Sequence, residues 1–144
     1  MTNDKELWLI VADSEGARLL QARKMQHEHL HLDEVSKLAS TFVGAEHQRP
    51  ARLSQPGRSG STPSEHASKV AHFAREVTPW IEQELSARGI VRCALFAPSH
   101  LLGALRKERH QSATSRLIEH EGELAQMSLA DLSRHPRVVA LQSS

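Results

Sequence analysis

"LWLIVADSEGARLLQAR" (Leu7 to Arg23) reads as two strands on either side of a tight turn. Leu7 to Asp13 is a continuous apolar run with aromatic and β-branched members, the pattern of a buried strand. Ser14 to Gly16 supplies the turn, and Ala17 to Arg23 follows as a hairpin partner. "HLHLDEVSKLA" (His29 to Ala39) extends the pattern to a third strand, with Leu30, Leu32 and Glu34 on one face and His29, His31 and Asp33 on the other. Three short consecutive strands imply an antiparallel meander.

The downstream pattern changes period. Val70, Phe73, Ala74, Val77, Ile81 and Leu85 recur at three- and four-residue steps, the stripe of an amphipathic helix. Thr62 as cap, Pro63 at the first helical position and Glu65 in a capping box mark its start. Arg88 in the last turn and Gly89 as C-cap mark its end, while Pro79 inside it is expected to kink or divide it. "IVRCALFA" (Ile90 to Ala97) reads as a buried strand, and Ser99 as the cap of a helix carrying Leu101, Leu102 and Leu105 on one face. Ser115 to Glu121 is a short edge strand by this reading, and Ser128 with Asp131 opens a last helix that Pro136 stops.

The expected order is β-β-β, a long loop, then α-β-α-β-α. A meander continued by β-α-β units gives one α/β domain with a mixed five-stranded sheet, the order of the ribonuclease-H-like architecture. Residues 1–144 are read as a single domain with its core over about 6–136, a flexible loop over about 40–61 and a frayed tail over about 137–144.

Composition narrows the function classes. The 144 residues are 39% hydrophobic and 24% charged, enough apolar content for a globular core. The formal net charge of +1 excludes a general basic coat, so any polyanion site must be local. Aromatic residues are 3% and Tyr is absent, which argues against stacking platforms for single-stranded bases. Cys93 is the single cysteine, so no internal disulfide forms. The first residues lack the basic start of a signal peptide, and no apolar run is long enough to span a membrane; a cytoplasmic location is expected.

Several motifs resemble one bacterial family. Trp8, Ala12, Asp13, Ala17 and Arg18 fit an early W-x-x-x-A-D-x-x-x-A-R pattern, Phe73 to Val77 is "FAREV", and Ala97 to Arg106 is "APSHLLGALR". In this order, over Leu7 to His135, they resemble the host-attachment protein family, named for a proposed role in bacterial attachment to host cells. That family is similar to the middle domain of the archaeal and eukaryotic class-one peptide release factor. The resemblance implies the same element order, a loop before the long helix that in the release factor carries Gly-Gly-Gln, and a ribosome-associated role.

The loop of this chain differs. "QRPARLSQPGRSGSTPSE" (Gln48 to Glu65) has Gly57-Arg58-Ser59-Gly60, with Gln55 before it, where the release factor has Gly-Gly-Gln. The hydrolytic motif therefore does not carry over, and a non-catalytic factor is expected. Arg49, Arg52 and Arg58 offer forks for phosphate, and Gly57 and Gly60 allow close backbone approach, so these residues with Gln55 and Ser59 are the candidate RNA-binding set. The alternative for the same loop is a solvated surface segment.

Other chemistries are less complete. A two-metal nuclease needs several converging carboxylates; Asp13 with Glu65 or Glu76 is a partial set, and Asp13 is more simply a turn residue. His27, His29 and His31 would share one strand face, more simply a polar edge than a metal site; no metal or cofactor is implied. Cys93, inside a strand, reads as an inert core residue, and Trp8 and Trp80 as core or core-edge residues. Asp13, Ser99, His100 and Arg106 form a candidate ligand edge at the C-terminal ends of sheet strands, with Ser99 and His100 as a small anion site. The expected partners are ribosomal or transfer RNA or the ribosome. The alternative is a protein partner through which attachment is affected indirectly, and a metal-dependent nuclease is third. The sequence leaves the oligomeric state open.

Overall fold

The structure, a computed structural model, describes residues 6–24, 30–42, 63–108 and 116–143. The strands β1 (Glu6–Asp13), β2 (Gly16–Lys24) and β3 (Leu30–Ala39) form the meander. Then follow helix α1 (Pro63–Ala87), β4 (Cys93–Ala97), α2 (Ser99–Glu108), β5 (Leu117–Glu121), α3 (Leu129–Arg134) and α4 (Pro136–Val139). A 3-10 turn, Ala140–Ser143, ends the described chain. The sheet order is β3-β2-β1-β4-β5. β1–β2 and β2–β3 pair antiparallel, while β1–β4 and β4–β5 pair parallel. This is the mixed α/β sheet that the order of elements implies, with β2 the strand that runs against the others.

Strand alternation sorts the core into two layers. Ile10, Ala12, Ala17, Leu19, Leu95 and Ala97 face α1 and α2. Leu9, Val11, Leu20, Ala22, Ala94 and Phe96 face the opposite side, where Leu124, Leu132 and Val138 cover them. All six residues of the expected α1 stripe are buried. The Val, Phe, Ile and Leu side chains of this stripe each contribute on the order of 1.5–3 kcal/mol when fully buried, which is why α1 docks from Val70 to Leu85.

The hairpin turn depends on Asp13. Its Oδ1 accepts from the amides of Glu15 and Gly16 at 2.8 and 3.1 Å, satisfying donors that the tight turn leaves free. A Cβ at Gly16 would lie 2.8 Å from the Leu38 carbonyl oxygen, so only glycine lets β3 approach here. The β2–β3 register shifts between Leu19 and Leu20, whose partners are Ser36 and Glu34. Val35 is the extra residue of this bulge. It changes which face the strand buries: Leu30 and Leu32 join the α3 side, while Val35 and Leu38 pack on the α1 side. Plain alternation along the sequence does not show this.

The end of α1 follows its sequence closely. Gly89 has φ +65, its amide donates to Ser86, and the Ile90 amide donates back to Leu85 at 2.9 Å. This is a Schellman termination, and Leu85 and Ile90 are both buried beside it. Ile90 therefore belongs to the helix stop and β4 begins only at Cys93, shorter than the apolar run. Helix α1 is not divided at Pro79. Pro79 and Arg75, whose carbonyl loses its partner, are both exposed, so water can take the freed oxygen.

The C-terminal segment corrects another expectation. His135 caps α4 by accepting from the Arg137 amide, Pro136 takes the first turn, and Val138 is fully buried. The core thus continues past residue 136 rather than fraying from 137, because Val138 and Leu141 fill the α3 side of the sheet.

Gly89→Ala is expected to cost roughly 1–2 kcal/mol through the left-handed backbone. Gly16→Ala is expected to cost about as much or more, through the clash with backbone. Urea unfolding of both variants checks this; stability within error of the parent at either position contradicts the corresponding account.

Candidate functional site

The parallel strands β1, β4 and β5 end at one edge of the sheet, at Asp13, Ala97 and Glu121. The Gly122 amide donates to the Ala97 carbonyl at 3.0 Å, carrying the ladder one residue beyond β5. A cavity of about 520 Å³ opens at this edge. One wall is the start of α2, Pro98, Ser99 and His100; the other is Glu121, Gly122 and Glu123, with Arg137 from α4.

Arg137 is held in place. Its Nη1 donates to the Glu121 carbonyl, and its guanidinium carbon lies 5.4 Å from the centroid of Phe96. A Cβ at Gly122 would sit 3.1 Å from that nitrogen, so the glycine leaves room for the guanidinium. His120 stacks on the same Phe96, with centroids 4.7 Å apart and rings 17° from parallel. Burial, and secondarily the Arg137 charge, push the His120 pKa down, so the neutral ring is favoured.

The sequence-derived ligand edge is only partly assembled. Ser99 and His100 line the cavity, whereas Asp13 and Arg106 are not among its walls. Asp13 Oδ1 serves the turn and Oδ2 accepts from Gln126 Nε2 at 2.8 Å. Arg106 gives Nε and Nη2 to Glu119 Oε1 at 3.0 and 2.7 Å, joining α2 to β5. Ser99 is not the cap of α2: the Pro98 carbonyl accepts from Leu101 and Leu102, which makes Ser99 the first helical residue. His100 meets His66 of α1 edge-on, with centroids 4.8 Å apart.

Arg18 performs a task that its motif did not disclose. Its Nε pairs with Glu34 at 2.8 Å, and its Nη1 donates to the carbonyls of Ala125 and Met127 at 3.0 and 2.7 Å. With Asp13 on Gln126, it ties the chain after β5 to the first hairpin.

Among the described residues, no group of three or more His, Cys, Asp or Glu is arranged to hold a metal ion. The Glu65 side chain, His27 and His29 lie outside the described residues, and His31 pairs with Asp33 at 3.1 Å on an exposed face. Burial pushes the Cys93 thiol pKa far up, as expected of an inert core cysteine. No described helix is long and apolar enough to cross a membrane.

The candidate RNA-binding residues Arg49, Arg52, Gln55, Gly57, Arg58, Ser59 and Gly60 also lie outside the described residues. The chain entering that stretch is described through Phe42. Glu76 of α1 accepts from the Thr41 amide and hydroxyl and from the Ser40 hydroxyl. His72 bonds the Thr41 hydroxyl at 3.1 Å and meets the Phe42 ring at 5.4 Å. The first three residues of the expected loop are therefore fastened to α1.

The domain is a mixed-sheet α/β protein with a polar cavity at the C-terminal edge of its parallel strands. The sequence model of bacterial archaeo-eukaryotic release factor family 12 matches residues 6–135, and the chain belongs to that family. No curated protein matches it. Among solved structures it is similar to the type II variant of the Aquifex aeolicus Ppx/GppA phosphatase, at 10% identity and a TM-score of 0.37. That match covers 81% of this chain and 35% of the phosphatase chain, so this chain spans about a third of that protein.

Two outcomes test the site's supports. Arg18→Met is expected to cost about 1–3 kcal/mol, since two part-buried carbonyls and Glu34 lose their donor; chemical denaturation reads this directly. Glu76 gives a pH signature. Burial raises its pKa, but the Thr41 hydroxyl and amide, the His72 charge and the Ser40 hydroxyl together outweigh burial and hold it low. A lowered folded pKa contributes stability that is complete above the unfolded value near 4.3 and is lost as pH falls through the folded value. The stability difference between parent and Glu76→Gln should therefore shrink on acidification; a difference constant with pH refutes the charge-based anchor.

Proposed function

We propose that this protein is a non-catalytic translation factor that binds ribosomal or transfer RNA through residues 48–62. The observation that carries the reading is membership of a release-factor family over 6–135, a span that includes a basic stretch between β3 and α1. That stretch has Arg49, Arg52 and Arg58 and no acid between Glu46 and Glu65. With a net charge of only +1, it is a local concentration of phosphate-binding forks. The anchoring of Ser40 and Thr41 by Glu76 supports it, because it fixes where the chain leaves β3 on its way to the basic stretch.

The residues withhold hydrolysis. Gly57-Arg58-Ser59-Gly60 stands where the similar release-factor domain has Gly-Gly-Gln, so binding without peptide release is the activity assigned. Any effect on attachment to host cells is then an indirect consequence of altered translation.

Ribosome co-sedimentation across a salt series tests the reading. The parent is expected to co-sediment and to dissociate as salt rises. Replacing Arg49, Arg52 and Arg58 with Ala should flatten the dependence of log K on log salt by roughly 2–3 units if each contacts one phosphate. Equal co-sedimentation of parent and triple variant rejects the basic stretch as the contact.

A further inference from the structure

We propose that the cavity between α2 and the end of β5 binds a small zwitterion, a molecule with an ammonium and a carboxylate of the α-amino acid type. This site is separate from the RNA reading and does not rest on it. Its volume of about 520 Å³ lies within the range of small-molecule pockets.

The argument comes from charged residues, Glu121, Glu123 and Arg137, that line one cavity and form no ion pair with one another. Among the described residues, Arg18 pairs with Glu34, Arg88 with Glu84, and Arg106 with Glu119. In the cavity, Arg137 bonds the backbone carbonyl of Glu121 and not its carboxylate. Among the described residues, the carboxylates of Glu121 and Glu123 have no hydrogen-bonded or ion-paired partner. The Nε and Nη2 of Arg137 likewise have none, although Phe96, the Glu121 carbonyl and the space at Gly122 fix the guanidinium.

A simple anion would meet Arg137 but also two carboxylates. A simple cation would meet the carboxylates but also Arg137. A ligand carrying both charges answers both sets: its carboxylate takes the open donors of Arg137, and its ammonium takes Glu121 and Glu123. The Ser99 hydroxyl and the His100 ring at the opposite wall can hydrogen-bond the rest of the ligand.

The test is titration of the full chain with L-alanine and L-lysine, followed by amide NMR shifts at Ser99, His100, Gly122 and Glu123. Acetate and methylammonium are the single-charge controls. At least one amino acid is expected to saturate these shifts by about 10 mM, with both controls weaker by about tenfold or more. Glu123→Gln and Arg137→Gln should each weaken binding at least about tenfold. Arg137 also holds Glu121 and Phe96, so its variant can lose structure; Glu123, exposed and unbonded, keeps the test decisive. Absence of saturation, a control binding as well as the amino acids, or unchanged binding by Glu123→Gln overturns the proposal.

Discussion

The bond set of Arg18 is the constraint on which the C-terminal edge depends. The chain after β5 crosses the sheet without regular structure and then forms two short helices, α3 of 6 residues and α4 of 4. Helices this short have little stability of their own. Their place is set by Leu132 and Val138 in the core and by polar ties along the crossing chain. Arg18 supplies two of those ties from β2, to the carbonyls of Ala125 and Met127, and Asp13 supplies a third through Gln126. Because Asp13 also closes the hairpin, one turn both registers β1 against β2 and ties down the chain at Gln126, three residues beyond the cavity residue Glu123.

The same economy appears on the other layer. Helix α1 stops at Gly89 by a Schellman arrangement and presents Glu76 and His72 to the end of β3. Its first turn brings His66 to His100, beside the cavity. A single helix therefore touches the chain that leads into the basic stretch and also one wall of the ligand edge. The described chain that leads into the basic stretch, Ser40 to Phe42, and the cavity lie at the same end of the sheet, because β3 and the parallel strands run in one direction.

Much of the site was legible only as residue types. The position of Ser99 and His100 after a sheet strand pointed to an edge, and both line the cavity. Asp13 read as a turn residue and is one. Arg106 could not be placed from sequence, because its pairing with Glu119 joins elements whose spacing depends on how α2 lies on β5. Glu121, Gly122, Glu123 and Arg137 escaped notice for the same reason. The signals were present: Glu121 ends a strand parallel to its neighbour, and His-Pro at 135–136 is a helix start. Neither points to a cavity until β5 is known to lie beside β4.

The features readable in the amino-acid order are local. Apolar runs, the α1 stripe, Gly89, Asp13 and the Ser128 cap each act within a few residues, so they can be read in one dimension, and together they imply the five-stranded order. Tertiary structure alone decided which charges pair and which stay open. It also decided the bulge at Val35, the uninterrupted course of α1 through Pro79, and the burial of Val138. These depend on contacts between segments far apart in the chain. Arg18 and Met127 are 109 residues apart, and only packing of the sheet brings them to hydrogen-bonding distance.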